Sequence, residues 1–314
     1  MTCYKIVFMG TPEFAVPSLE ALIAGPDKVV AVVTQPDRPK GRGRKLSPSP
    51  IKVLAEKAGI NILQPEKARS AEFLNQVSGF VPDLLVVVAY GQILPQELLN
   101  IPRIMPINVH GSLLPKYRGA APVQWAIIQG ETKTGITIMK MDAGMDTGPV
   151  LLQKALTIES EETFGQLYER MSRLGAGLLV QTLDDIRGGT LKTRPQSDEG
   201  VSYAPPIKPE LTRLDWSQTA NRISCIVRAL DPRPGAYTFW NSHRLRLYMP
   251  FVIDLDTADM KPGTVCRVGD DGLVIAAGKG CLGIRELQWP GKRRMSCAEF
   301  LRGRPIPVGI KFES

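Results

Sequence analysis

The chain contains only two histidines, so each can be weighed by the chemistry its neighbours permit. His110 lies in Ile107-Asn108-Val109-His110-Gly111-Ser112-Leu113-Leu114-Pro115, where a short apolar strand gives way to a loop with glycine and proline. Side chains alternate across a strand, which puts Asn108 and His110 on one side. In open α/β sheets, ligands bind at the C-terminal ends of strands. An amide donor beside a titratable imidazole can stabilise an oxyanion and move a proton, the two needs of acyl transfer. His243 sits among Arg244, Arg246 and Tyr248 in an expected hairpin, a setting for a surface or nucleic-acid contact.

Two further strand-end loops are candidates for the same crevice. Ala89-Tyr90-Gly91-Gln92-Ile93-Leu94-Pro95 follows the most apolar strand pattern in the chain. Met141-Asp142-Ala143-Gly144-Met145-Asp146-Thr147-Gly148 follows Gly135–Lys140 and offers two carboxylates. Glycines in both would let a flat ligand or a substrate backbone approach closely. A carboxylate near an imidazole orients it, but spacing leaves the choice between Asp142 and Asp146 open. Other chemistries lack their motifs. Gly10-Thr11-Pro12 is not a GxGxxG turn, and neither a GxxxxGK[ST] loop nor a GxSxG elbow occurs. Five scattered cysteines without a CxxC pair read as reduced thiols, not as a zinc site or a disulfide framework.

Charge points to a polyanionic partner. Of the net +8, most comes from residues 207–314, which hold 17 Lys and Arg against 11 Asp and Glu. The loop Thr34–Lys52 adds Arg38, Lys40, Arg42, Arg44, Lys45 and Lys52 against the single acid Asp37. Its glycines and four prolines are expected to keep it out of helix and strand, and its length suggests function. A basic loop beside the crevice suits a phosphate backbone.

The elements that must position these residues read as an α/β fold. Lys5–Met9, Val29–Val33, Leu84–Ala89, Ile107–Val109 and Gly135–Lys140 read as strands. Ser49-Pro50 opens a helix, and a long helix runs from about Glu162 to Arg187. The alternation implies a doubly wound, mainly parallel sheet. A proline-rich stretch then separates this half from a helix near Ala220–Leu230 and many short strands, expected to form a small β-barrel or sandwich. The expected division is 1–189, a linker at 190–209, and 210–314. Ile6–Met9 is too short for a signal peptide core and Leu84–Tyr90 too short to span a bilayer, so no membrane role and a cytoplasmic location are expected.

Asn108-Val109-His110-Gly111-Ser112-Leu113-Leu114-Pro115, continued by Tyr117-Arg118-Gly119-Ala120-Ala121-Pro122, resembles the signature of the folate-dependent formyltransferases. Asp142–Gly148 is similar to that family's second block, at matching separation. Phe8-Met9-Gly10-Thr11-Pro12-Glu13-Phe14, the basic loop and the basic C-terminal third resemble the branch whose acceptor is methionyl initiator tRNA. The resemblance implies a Rossmann-like catalytic domain, an OB-like C-terminal barrel that binds tRNA, and 10-formyltetrahydrofolate as donor without metal or nicotinamide. It implies the catalytic trio Asn108, His110 and Asp146, and so selects Asp146 over Asp142. Ser112, Leu113, Leu114 and Pro115 match the folate-binding segment. Backbone at Tyr90, Gly91, Gln92, Ile93 and Leu94, and at Ala143 and Gly144, is implied to hold the pterin. Arg38, Lys40, Arg42, Arg44 and Lys45 are implied to engage the acceptor stem, with Arg42 foremost. The expected protein is a monomer that formylates methionyl initiator tRNA. The alternatives are a formyltransferase for a sugar nucleotide or purine precursor, and a non-catalytic RNA-binding protein on the same fold.

Overall fold

A computed structural model describes residues 3–40, 45–255, 260–269 and 271–314. The chain divides into two compact units: Met1–Pro122 with Thr134–Leu156 and Tyr168–Ala204, and Val123–Lys133 with Thr157–Leu167 and Pro205–Ser314. Along the first two-thirds run β1 (Lys5–Gly10), α1 (Val16–Ala24), β2 (Lys28–Val33), β3 (Arg38–Lys40), β4 (Lys45–Ser47), α2 (Pro50–Lys57), β5 (Asn61–Leu63) and α3 (Ala71–Gly79). They are followed by β6 (Leu84–Val88), α4 (Gln96–Leu99), β7 (Met105–His110), α5 (Pro122–Ile128), β8 (Lys133–Lys140), β9 (Val150–Thr157) and α6 (Phe164–Gly188).

β6 is Leu-Leu-Val-Val-Val, buried at every position, as a strand covered on both faces must be. It lies at the middle of a seven-stranded sheet of order β5-β2-β1-β6-β7-β8-β9. The pairs from β5 to β7 are parallel, and β7 with β8 is antiparallel. The order runs backward from β1 to β5 and forward from β6, which opens a crevice at the strand ends between β1 and β6. On one face of the sheet Val7, Met9, Leu85 and Val87 pack against Phe73 and Val77 of α3 and Leu98 of α4. Ser49 caps α2 and Ser70 caps α3 through their hydroxyls, fixing where each helix leaves the sheet. α6 ends at Gly188, with Gly189 at φ +68° supplying the left-handed exit. In its last turn Arg187 reaches Asp27 at 2.8 Å.

Two points differ from the sequence reading. The basic loop is not free of strand: β3 and β4 form an antiparallel ribbon pairing Arg38 with Ser47 and Pro39 with Leu46. A two-stranded ribbon has two open edges, so a proline that cannot donate to a ladder is tolerated there. The proline-rich stretch after α6 is also more ordered than a linker composition suggests. Arg194 exchanges two backbone hydrogen bonds with Val150, and Arg118 does so with Ser202 and Ala204. Residues 194–204 thus form a strap within the first unit, tied at one end to Val150 and at the other to Arg118 and Ala121.

The second unit holds α7 (Ala220–Ala229), β10 (Ala236–Trp240), β11 (His243–Ile253), β12 (Val265–Gly269), β13 (Gly272–Ala276), β14 (Cys281–Gln288), β15 (Met295–Ser296) and α8 (Cys297–Gly303). Its antiparallel sheet runs β10-β11-β14-β13-β12, with β15 beside β14. Residues 309–313 close it into a barrel-like form. Glu313 bridges Phe239 of β10, and Lys311 bridges Thr264 at the start of β12. Trp216, Leu247, Ile275, Leu282 and Phe312 fill the interior. The Trp216 indole donates to Thr238 Oγ1 at 3.0 Å, which satisfies its polar edge inside the core.

Candidate active site

β7 carries Asn108 and His110 to the C-terminal edge of the sheet, and alternation puts both on one face. Both are buried, at 9% and 5% exposure. Asp146 comes from the loop between β8 and β9. Its Oδ2 lies 3.6 Å from His110 Nδ1, and its Oδ1 accepts from Asn108 Nδ2 at 3.4 Å. The same carboxylate accepts the Gly119 backbone N–H at 2.8 Å. His110 Nε2 lies 3.0 Å from the Tyr117 carbonyl, an acceptor only. A proton on Nε2 therefore satisfies that side, and Nδ1 is the position that can exchange a proton beside the carboxylate. The three side chains named from the sequence thus converge. Asp142 does not join them. Its Oδ1 accepts from Gly144 N–H and from Thr147 Oγ1, so it shapes its own exposed turn.

Two left-handed residues frame the site, Tyr117 at φ +60° and Asp146 at φ +53°. Such backbone persists only where its surroundings over-determine it. Here the clamps are Gln196 and Ser202 of the strap. Gln196 Nε2 donates to the carbonyls of Asp146 and Gly148, and Ser202 Oγ accepts the Tyr117 N–H. Sequence reasoning assigned neither residue a place in the site. Their composition signal was that of a linker, and only the fold brings them back.

The segment Ser112–Pro115 is a rigid shelf. Ser112 is fully buried, its hydroxyl on the Lys116 carbonyl, while Thr137 Oγ1 donates to the Ser112 carbonyl and accepts the Leu114 N–H. Gln153 donates to the Leu114 carbonyl and to Thr137 Oγ1. Leu113 and Pro115 are half-buried and Leu114 is buried.

In the loop after β6, Tyr90 is buried in the core, and burial pushes its hydroxyl up to about 12. That hydroxyl is one of the buried polar atoms without a partner among the described residues. Leu94 is buried too, and Gln92 staples the Ala68 N–H and the carbonyls of Pro65 and Glu66, so its side chain serves the loop. Gly91 has open space where a Cβ would stand, and Ile93 is 90% exposed. Ala143 and Gly144 are exposed, beside Met145 at 60%. Gly91 thus leaves backbone open beside the exposed Ile93, whereas at Gly144 Thr147 Oγ1 lies 2.0 Å from where a Cβ would stand. Among the described residues no cluster of three His, Cys, Asp or Glu could hold a metal ion.

A cavity of about 450 Å³ opens at the ends of β1, β2 and β6, lined by Thr11, Gln35, Arg38, Ser49, Ala89 and Gly91 among others. Asp37, the one acid of the basic loop, is engaged elsewhere. Lys52 Nζ donates to it at 2.7 Å and Gln64 at 2.8 Å, and the Lys52 hydrogen bond holds its carboxyl below the usual range. Arg38 is exposed and reaches Gln35 Oε1 at 3.4 Å. Arg42 and Arg44 lie outside the described residues, as do the side chains of Lys40 and Lys45.

Comparison with known proteins identifies the family. Residues 4–183 match the formyl transferase family, and residues 206–305 match the formyl transferase C-terminal domain. A methionyl-tRNA formyltransferase of Desulfotalea psychrophila is 50% identical over 96% of this chain and 93% of its own length. One from Geobacter metallireducens is 49% identical over 99% of both. The chain belongs to the methionyl-tRNA formyltransferase family. Solved structures share the family's fold at lower identity. An N-formyltransferase of Helicobacter canadensis, bound to folinic acid and dTDP-3-aminofucose, aligns at TM-score 0.66 and 20% identity over 90% of this chain and 98% of its own. HypX of Aquifex aeolicus with tetrahydrofolic acid aligns at 0.63 and 19% over the whole of this chain, which spans 51% of HypX.

Proposed function

We propose that this chain transfers the formyl group of 10-formyltetrahydrofolate to the α-amino group of methionyl initiator tRNA, giving N-formylmethionyl-tRNA. The observation that carries the reading is the convergence of Asn108, His110 and Asp146 at the end of β7, in a chain matched almost end to end by enzymes of that name. The donor supplies a formyl group on a nitrogen that can leave. Gly91 and Ile93, with Ala143, Gly144 and Met145, suit its ring, and the shelf Ser112–Pro115 suits the rest of its length.

Asn108 and His110 divide the chemistry. One N–H of the Asn108 amide turns to Asp146, and the other serves the formyl oxygen as negative charge builds there. His110 takes the proton the attacking amine must lose, at Nδ1, and returns it to the leaving nitrogen. Asp146 orients the ring and balances its charge while the proton is held.

The basic loop, Arg38, Lys40, Arg42, Arg44 and Lys45, follows the acceptor stem, because Lys52 already occupies its only acid. Residues 210–314 form the second tRNA contact, joined to catalytic residues 1–189 by 190–209. In that domain Arg244 lies over Tyr237 at 4.0 Å, and Trp289 carries Arg304 at 3.8 Å and a stacked His243 at 4.8 Å. Exposed guanidinium groups and rings of this kind suit RNA backbone and bases. The protein works as a cytoplasmic monomer; no helix among its described residues is long and apolar enough to cross a membrane. The test is formyl transfer by purified Asn108→Ala and His110→Ala. Each should lose roughly a hundred- to thousandfold in kcat with tRNA affinity kept. Wild-type turnover in either would overturn the mechanism.

A further inference from the structure

Arg118 and Gln196 form one hydrogen-bonded unit behind Asp146. Arg118 is buried, with 8% of the residue exposed, and its guanidinium donates from Nε at 3.2 Å and from Nη2 at 2.7 Å to Gln196 Oε1. That fixes the amide, because a guanidinium has no acceptor to offer the NH2 end. Gln196 Nε2 therefore points the other way and donates to the carbonyls of Asp146 at 2.7 Å and Gly148 at 2.8 Å. Every polar atom of the amide is used. The two gripped carbonyls bracket Thr147 and follow a residue whose φ is +53°. On its other side the Asp146 carboxylate is gripped by Gly119 N–H, next in sequence to Arg118.

We propose that Arg118 and Gln196 are positioning residues: they hold the 146–148 turn with Asp146 left-handed and so aim the Asp146 carboxylate at His110 and Asn108. The proposal rests on the reading of Asp146 as catalytic. It gives the strap a task, since Gln196 reaches the site only because residues 194–204 are tied to β9 at one end and to residues 117–121 at the other. A carboxylate displaced by an ångström from the imidazole loses its orienting effect, and errors of that size cost about a hundredfold in rate.

Gln196→Glu tests this with almost no change of shape. It keeps the acceptor for Arg118 but sets an oxygen against two carbonyl oxygens. Single-turnover formylation of methionyl initiator tRNA should fall ~10- to 100-fold in rate, with KM for tRNA and donor within about twofold. In an Asp146→Ala background the same substitution should add no further loss, because there is no carboxylate left to aim. Arg118→Lys, which keeps charge but loses the fork, should give a smaller loss and vanish in the same background. It is measured in parallel and carries the cycle alone if Gln196→Glu does not fold, as judged by circular dichroism. Wild-type rate in the single variants with Asp146→Ala crippled overturns the proposal alone. A full, additive loss in the double variants also overturns it and leaves a structural role. Wild-type rate in Asp146→Ala would overturn the catalytic reading beneath it.

Discussion

At the scale of residues, the site depends on backbone groups as much as on side chains. Gly119 illustrates this. It stands at φ +116°, donates its N–H to Asp146, and a Cβ there would lie 3.0 Å from the Ala204 carbonyl. Gly119→Ala is therefore expected to cost on the order of 1 kcal/mol in denaturant unfolding. It should also lower kcat about tenfold, as the strap and the carboxylate shift together; unchanged kcat would separate the glycine from the site. Asn108 and His110 were legible in the sequence because strand periodicity alone puts them on one face. The choice of Asp146 over Asp142 was not legible from spacing. It is made by hydrogen bonds to Asp146 from Gly119 and Asn108, 27 and 38 positions away, while Asp142 is taken up by its own local turn. Arg118 stood in the signature, but its pairing with Gln196, 78 positions away, was invisible.

At the scale of elements, strands with continuous apolar runs declared themselves, and short or half-exposed ones did not. β6 is buried at every residue, whereas β9 shows no regular alternation between buried and exposed positions, and β5 has only three residues. The β3–β4 ribbon was hidden by its prolines and glycines, which local propensity counts against strand but an open-edged pair accepts. Barrel closure was equally hidden, since residues 309–313 reach their partners only through the fold. Phe312, fully buried against Trp216 at 6.4 Å between ring centres, holds that closing segment. Phe312→Ala should destabilise the second unit by roughly 3–5 kcal/mol. Urea unfolding followed by tryptophan fluorescence measures it, and a loss below ~1 kcal/mol would mean the segment is not a structural closure.

At the scale of the whole molecule, the question is how the chain recognises one tRNA. Phosphate contacts position any tRNA, so discrimination requires a group that reads bases or shape at the stem's end. Arg42 is the proposed reader, because a planar guanidinium can both hydrogen-bond and stack. Arg42→Ala should lower kcat/KM on initiator tRNA about tenfold or more, a cost of at least ~1.4 kcal/mol, and narrow the preference over elongator tRNA. Lys40→Ala should chiefly reduce the salt dependence. Kinetics on both tRNAs at two salt concentrations check this; full efficiency and selectivity in Arg42→Ala would make the loop a solvated insertion. The charge bias that pointed to nucleic acid was legible from composition, and the acceptor only from Phe8–Phe14 and the basic loop, because the fold is shared with sugar formyltransferases. The most direct test is formyl transfer from 10-formyltetrahydrofolate by the wild-type protein to three acceptors: charged initiator tRNA, charged elongator methionine tRNA and glycinamide ribonucleotide. Rapid transfer to the initiator, slow transfer to the elongator and none to the nucleotide are expected. Equal or greater transfer to glycinamide ribonucleotide would contradict it.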